Sequence, residues 1–400
     1  MGGFFNGVVA TGRRSLTLPL GCALVLATAA LPTPANAASI TVTGPEQVVY
    51  DKSTQGCEFA DQPDIPTRAI RDSTGQVQLT IAGPTTRRLI GPDFDHLTHP
   101  CDPIRTSSLS PYPWEFNDRG WMSSLYTPDG DHVYALVHAE FHGQRHPGLC
   151  PSNVFIDCRY NGVTFSSSSD RGATYTDPPF PDNVVATIPY RYVPEAGRYG
   201  VFSPSNIIER NGFFYAMILI SQSYGQQRAG ACLMRTRTPD DPKSWRAWDG
   251  AAFTVRFVNP YLEPSAAPLT HACMPVAGNE IGQIERSLVY NTYLNKFVVI
   301  GTESKYEPSL GRVVRGFYYS FSDDMINWSD KQLLYETSPT VCPSRPPRVY
   351  PSLIDHNAAG RNFDTVGRFA YLYYLLGNFD SNCQKVFDND LARAPIEFSP

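Results

Sequence analysis

The chain has 400 residues, 42% hydrophobic, 12% aromatic and 18% charged, with a formal net charge of −5. That mild acidity, without any run of Lys or Arg, argues against a nucleic-acid partner or an anionic membrane surface. Thirty-five prolines and 30 glycines point to many turns and few long helices, and the aromatic content suffices for a large core with aromatic faces left over.

The first predicted element is a targeting segment over residues 1–37. Arg13-Arg14 give a basic start, Leu16 to Ala30 an apolar run, and Ala35-Asn36-Ala37 a small-x-small cleavage site. The twin arginines half-match a twin-arginine export signal, and an ordinary Sec signal is the preferred reading. Cleavage leaves residues 38–400, expected to be secreted (extracellular or periplasmic), monomeric and free of the membrane, since no later stretch resembles a span. Cys22 leaves with the signal. Eight cysteines remain, an even number that in an exported chain reads as a disulfide set. Cys150 and Cys158 staple one loop, and Cys57, Cys101, Cys232, Cys273, Cys342 and Cys383 fall into sequential pairs, each tying one repeat. No Cys-x-x-Cys occurs, so zinc is not expected. No cofactor is expected either, with a structural calcium ion in a central channel kept as an alternative.

Length alone suggests two domains, but a strand–turn–strand pattern recurring five times predicts one. The copies are Arg68–Arg71 with Val77–Ile81, Met122–Tyr126 with His132–Val137, Ser203–Ile208 with Phe214–Leu219, Glu285–Tyr290 with Phe297–Ile300, and Tyr350–Asp355 with Ala370–Tyr374. A third strand follows each, near Arg88, Val163, Cys232, Phe317 and Leu391. Ile40-Thr41-Val42 and Val48-Val49-Tyr50 are suited to close a ring against the last copy. The predicted fold is all-β: a five-bladed β-propeller, one domain over residues 38–400, in which neighbouring blades cover faces that one blade would expose.

Three of the third strands run into related turns. "SSSDRGATY" (Ser167–Tyr175) fits Ser-x-Asp-x-Gly-x-Thr followed by an aromatic, the Asp-box, and Thr238-x-Asp240 and Ser322-x-Asp324 lead to Trp245 and Trp328. An Asp side chain caps backbone N–H groups in such turns while the aromatic packs between sheets. These motifs report architecture rather than chemistry.

The "SPSNII…NGFFYAM" and "YPSLID" blades and "SFSDDMINW" make the chain resemble the five-bladed propeller glycoside hydrolases, that is, the arabinanase and β-xylosidase group and the invertase-like group. The Asp-boxes are similar to those of sialidases, although Asp64 stands where the sialidase Arg-Ile-Pro opening has its arginine. The resemblance implies a carbohydrate substrate in a central pocket and makes Asp64 the match to the catalytic Asp of the first blade. "FSPSN" lacks the family's third-blade Glu.

Glycoside hydrolysis needs one ionised and one protonated carboxyl group across a pocket. Asp64 is the candidate base, with Arg68 near in sequence; Glu285 in "QIERS" and Glu140 in "HAEFHG" are the candidate acids. Each has a plainer reading: Asp64 as a turn cap before Ile65-Pro66, Glu285 as an ion pair with Arg286, and Glu140 as part of a polar plug. Alternation along a strand puts His138, Glu140 and His142 on one face, suited to proton transfer or to a metal. Arg68, Trp121, His138, His142, Asn206, Arg286, Glu303 and Tyr350 are the expected substrate contacts. Three functions fit: a secreted glycoside hydrolase, a polysaccharide lyase in which His and Tyr350 act on an acidic glycan held by arginines, and a non-catalytic glycan-binding propeller.

Overall fold

The structure is a computed structural model and describes residues 38–337, 341–342 and 344–400. The predicted targeting segment lies outside the described residues. Ala38–Pro400 form one compact unit, built almost entirely of strands.

Two short strands open it, β1 (Ser39–Val42) and β2 (Gln47–Tyr50). The first sheet unit is β3 (Ala69–Arg71), β4 (Val77–Ala82), β5 (Thr85–Gly91) and β6 (Arg105–Thr106), paired antiparallel in that order. The second is β7 (Arg119–Tyr126), β8 (Val133–His142), β9 (Cys158–Ser168) and β10 (Val184–Ala186). The third contains β11 (Gly197–Phe202), β12 (Ile208–Arg210), β13 (Phe213–Ile220), β14 (Gly230–Thr236), β15 (Arg246–Trp248) and β16 (Phe253–Arg256). The fourth is β17 (Ser287–Asn291), β18 (Lys296–Glu307), β19 (Arg312–Ser322) and β20 (Gln332–Glu336). The fifth holds β21 (Arg348–Ile354), β23 (Phe369–Phe379) and β24 (Lys385–Ser399), while β22 (Thr365–Val366) crosses back to pair with β17.

The five units form a ring because each is bonded to the next near the axis. Arg68 Nε donates to the Ser123 carbonyl (2.6 Å), joining units one and two, and Ser124 Oγ donates to the Ser205 carbonyl, joining two and three. The Asn206 amide donates to the Leu288 carbonyl (2.6 Å) and accepts from its N–H (2.9 Å), joining three and four. The Leu353 N–H donates to Ser287 Oγ (3.2 Å), joining four and five. Arg68 Nη1 donates to Ser352 Oγ (3.0 Å) and so returns from five to one. Apolar packing follows the same circuit: Ala69 and Leu79 of unit one share a buried cluster with Ile354, Tyr373 and Leu391 of unit five. β1 and β2 both pair with β24, so the chain's start supplies the outer edge of its last sheet, as the sequence predicts. The fold is a β-propeller.

The third repeat departs from the prediction. Ser203–Ile207 are not a strand, and the innermost strand is β11, parallel to β9 and antiparallel to β13 through Val201 and Phe202. Pro204 has no N–H for a ladder; Ser205 still meets β13, its N–H donating to the Met217 carbonyl (2.8 Å) and its Oγ accepting from the Met217 N–H (2.9 Å).

The four predicted pairs of cysteines are bonded: Cys57–Cys101, Cys150–Cys158, Cys232–Cys273 and Cys342–Cys383. In the Asp-box turn, Asp170 accepts from the Thr174 N–H (2.9 Å) and Oγ1 (2.6 Å), and Ser168 Oγ accepts from the Gly172 N–H (2.9 Å). Gly172 sits at φ +74°, where a side chain would be strained. Asp324 likewise accepts from the Ile326 and Asn327 N–H groups. The third related turn is capped by Asp241, which accepts from the Lys243 N–H (2.9 Å), and not by Asp240 as expected.

Candidate active site

Two adjoining cavities lie on the axis. One, of about 290 Å³, is lined by Asp64 of unit one, by Trp121, His138, Glu140, His142 and Arg159 of unit two, and by Phe202 and Ser203 of unit three. The other, of about 330 Å³, is lined by Thr302 and Arg315 of unit four and by Leu375 and Asn389 of unit five. Asp64, Arg198, Arg286 and Tyr350 border both. A larger cavity, of about 450 Å³, lies between Val184 and Val185 of unit two and Lys243, Trp245, Arg256 and Leu262 of unit three. Its one carboxylate, Glu263, is bound by both terminal nitrogens of Arg256 at 2.7 Å, so it offers no convergent acid–base pair.

Residue alternation on β8 brings His138, Glu140 and His142 to one wall, as expected. Glu140 Oε1 meets His138 Nε2 (2.8 Å) and Arg159 Nη2; Oε2 meets His142 Nε2 (2.7 Å). The His138 tautomer follows from its other nitrogen: Nδ1 accepts from the Ser203 N–H (2.9 Å), so Nε2 carries the proton and donates to Glu140. Burial, reinforced by Arg159, holds His138 well below the usual imidazole range, in keeping with a neutral ring. Burial likewise brings His142 down to about 4, and its Nδ1 is buried without a hydrogen-bond partner. With Oε1 taken by two donors, the contact between Oε2 and His142 Nε2 is what remains to Glu140 for proton exchange.

Asp64 borders both cavities, on the loop before β3, with its N–H donated to the Ala82 carbonyl (3.1 Å). Tyr350 reaches the axis from a bulge in β21, where the register against β23 shifts between Val349 and Ser352. It has φ +59°, a strained conformation for a bulky residue ahead of a proline. Bulges re-aim side chains, and this one turns a Tyr toward the cavity. Burial, then the nearby Asp64 charge, push its phenol up.

Four expected site residues do not line either cavity. Glu285 is fully buried, its oxygens have no hydrogen-bond partner and its nearest cation is Arg286 Nε at 3.6 Å; burial raises its pKa. It can act on a ligand only through Arg286. Arg68 is the pin of the ring: besides Ser123 and Ser352 it donates to the Arg286 carbonyl (2.5 Å), and burial, aided by Arg286, lowers it to about 9. Asn206 is occupied by Leu288. Glu303 points to Lys331 Nζ (2.9 Å), because along β18 it alternates with Thr302, which faces the cavity. Arg159, Arg198, Thr302 and Arg315 were missed. For Arg159 a signal existed: it follows the stapled Cys158 and pairs across β8–β9 with His142. Arg198 lies on β11, a strand the repeat pattern did not identify.

The residues on the axis do not fit the calcium alternative. A buried guanidinium, Arg68, holds the channel carbonyls of Ser123 and Arg286 that such a cation would need. Cys57, Asp61 and His99 are close enough to suggest a metal group, but the Cys57 sulfur is bonded to Cys101 and offers no thiolate.

No family model matches the chain, and no curated protein matches it in sequence. Among solved structures it is similar to sucrose-6-phosphate hydrolase from Lactobacillus gasseri, with 11% identity, a TM-score of 0.48 and 86% of this chain covered. This chain spans 60% of that protein's length. It is similar also to endo-arabinase from Bacteroides thetaiotaomicron, with 10% identity, a TM-score of 0.45 and coverage of 87% of this chain and 97% of the other. A third is the α-L-arabinofuranosidase PaAbf62A from Podospora anserina, with 9% identity, a TM-score of 0.45 and coverage of 89% and 96%. At these identities and scores nothing about the site follows from them.

Proposed function

We propose that the protein is an exported glycoside hydrolase whose active site is the paired axial cavity, with Asp64 as base and Glu140, coupled to His142, as acid. The observation that carries this reading is that Asp64 and Glu140, from adjacent units, line one cavity of about 290 Å³. Trp121, Phe155 and Phe202 in the same wall supply faces for a sugar ring. Four disulfides suit an oxidising compartment, and residues 1–37 are read as the signal that delivers the chain there. The lyase alternative is left with His142, whose Nδ1 has no hydrogen-bond partner, as its base, because Tyr350 is pushed toward its protonated form and both ring nitrogens of His138 are engaged.

Asp64→Asn tests the reading on a panel of plant and microbial polysaccharides. Reducing-sugar release should fall by about 10²–10⁴-fold with an unchanged circular-dichroism spectrum. Full activity in the variant removes Asp64 from the mechanism. Ultraviolet-absorbing unsaturated products from the wild type mark a lyase, and tight glycan binding without turnover marks a binding propeller.

A further inference from the structure

The protein is acidic overall, yet its axial cavities are lined by four arginines, Arg159, Arg198, Arg286 and Arg315, against two carboxylates, Asp64 and Glu140. Arg159 is bound to Glu140. Arg198 makes no ion pair among the described residues and has only the Phe202 ring beneath its guanidinium, 4.7 Å from the centroid. Arg286 Nη1 is buried with no hydrogen-bond partner. The one carboxylate behind it, Glu285, is 3.6 Å away from Nε and pushed toward the neutral acid by burial, so it neutralises Arg286 poorly. Arg315 is exposed at the mouth of the second cavity. Arg198 and Arg286 thus converge on a small, partly enclosed space with Thr302 and Asn389 beside them. Holding like charges together is unfavourable unless an anion joins them, and guanidinium forks suit the planar or tetrahedral oxygens of carboxylate and sulfate.

We propose that Arg198 and Arg286 form a subsite for an anionic substituent, carboxylate or sulfate, on the sugar bound beside Asp64. The subsite rests on the reading of the axial cavity as a glycan site. It narrows the substrate class from glycans in general to uronate-bearing or sulfated ones. Asp64 lies between the two cavities, so an anion held in the second places the adjoining glycosidic bond in the first, between Asp64 and Glu140.

Calorimetry on the mature chain tests it with glucuronic acid, galacturonic acid, glucose 6-sulfate, glucose and inorganic sulfate. One of the acidic sugars should bind at least about tenfold more tightly than glucose, and that preference should shrink as salt is raised. Arg198→Gln, which removes no hydrogen bond or ion pair among the described residues, and Arg286→Gln should each cut the preference at least about fivefold. Which acidic sugar responds separates carboxylate from sulfate. Equal binding of glucose and every acidic sugar overturns the subsite, as does an unchanged preference in Arg198→Gln. Inorganic sulfate binding as tightly as the sugars also overturns it, since the site would then recognise a bare ion. Cleavage of neutral glycans without any acidic preference removes the subsite and leaves the hydrolase reading standing. Acidic-sugar binding by a protein that cleaves no glycan does the reverse.

Discussion

Glu140 and its two histidines are the most constrained residues of the site. Ser203 fixes the His138 tautomer through a backbone N–H, Arg159 and His138 occupy Oε1, and Oε2 meets His142 Nε2. Keeping these imidazoles neutral has a consequence for stability. In the unfolded chain a histidine takes up its proton near pH 6.5, whereas burial delays His142 to about 4; His356 is delayed to about 4 as well, by burial and then Arg393. Between those pH values the unfolded state binds more protons, so stability is full above about 6.5 and is lost as the pH falls toward 4. Urea midpoints should therefore drop across that window, and His142→Gln should make the drop shallower. An identical slope in the variant would show that His142 is not held neutral.

At the scale of elements, turns and strand alternation did most of the organising, and each was open to sequence reasoning in a different degree. Asp170 accepts from the N–H and hydroxyl of Thr174 and from Ser168 Oγ on the outer edge of unit two. Asp170→Ala should cost about 1–2 kcal/mol, the range of a lost side-chain cap, as read by chemical denaturation, with glycan cleavage unchanged; a fall in cleavage per folded molecule would place the turn in the chemistry after all. The repeating strand pairs and the ring-closing β1 and β2 were legible because alternation and turn residues are local properties. The His138–Glu140–His142 wall was legible for the same reason. Arg198 was not, because β11 is held by parallel pairing with β9, a contact between segments about 40 residues apart that leaves no local signature. Glu303 is misplaced by one step: β18 runs past the predicted end at Ile300 to Glu307, and of the two neighbours only Thr302 lines the cavity. Asn206 and Arg68 were legible as polar residues near the axis, yet their partners lie on other units, and nothing local shows that these groups are already satisfied.

Across the whole molecule, the same few polar residues close the ring and frame the site. Arg68 reaches units two, four and five through Ser123, Arg286 and Ser352, so the position of Arg286, and with it the floor of the second cavity, depends on the pin. β1 and β2 complete the outer edge of unit five, which ties the first described strands to the last. Four disulfides add local ties, the longest joining residues 44 apart, which on chain-entropy grounds contributes about 4 kcal/mol. Such a frame leaves the axial cavities as the place where groups from all five units can meet a ligand. The decisive measurement is a crystal structure of Asp64→Asn bound to the glycan that the wild type cleaves. The scissile oxygen should lie within about 3 Å of Glu140, with the sugar's anionic substituent turned to Arg198 and Arg286. A glycan seated instead in the outer cavity between Lys243, Trp245 and Leu262, with the axis empty, would contradict the assignment.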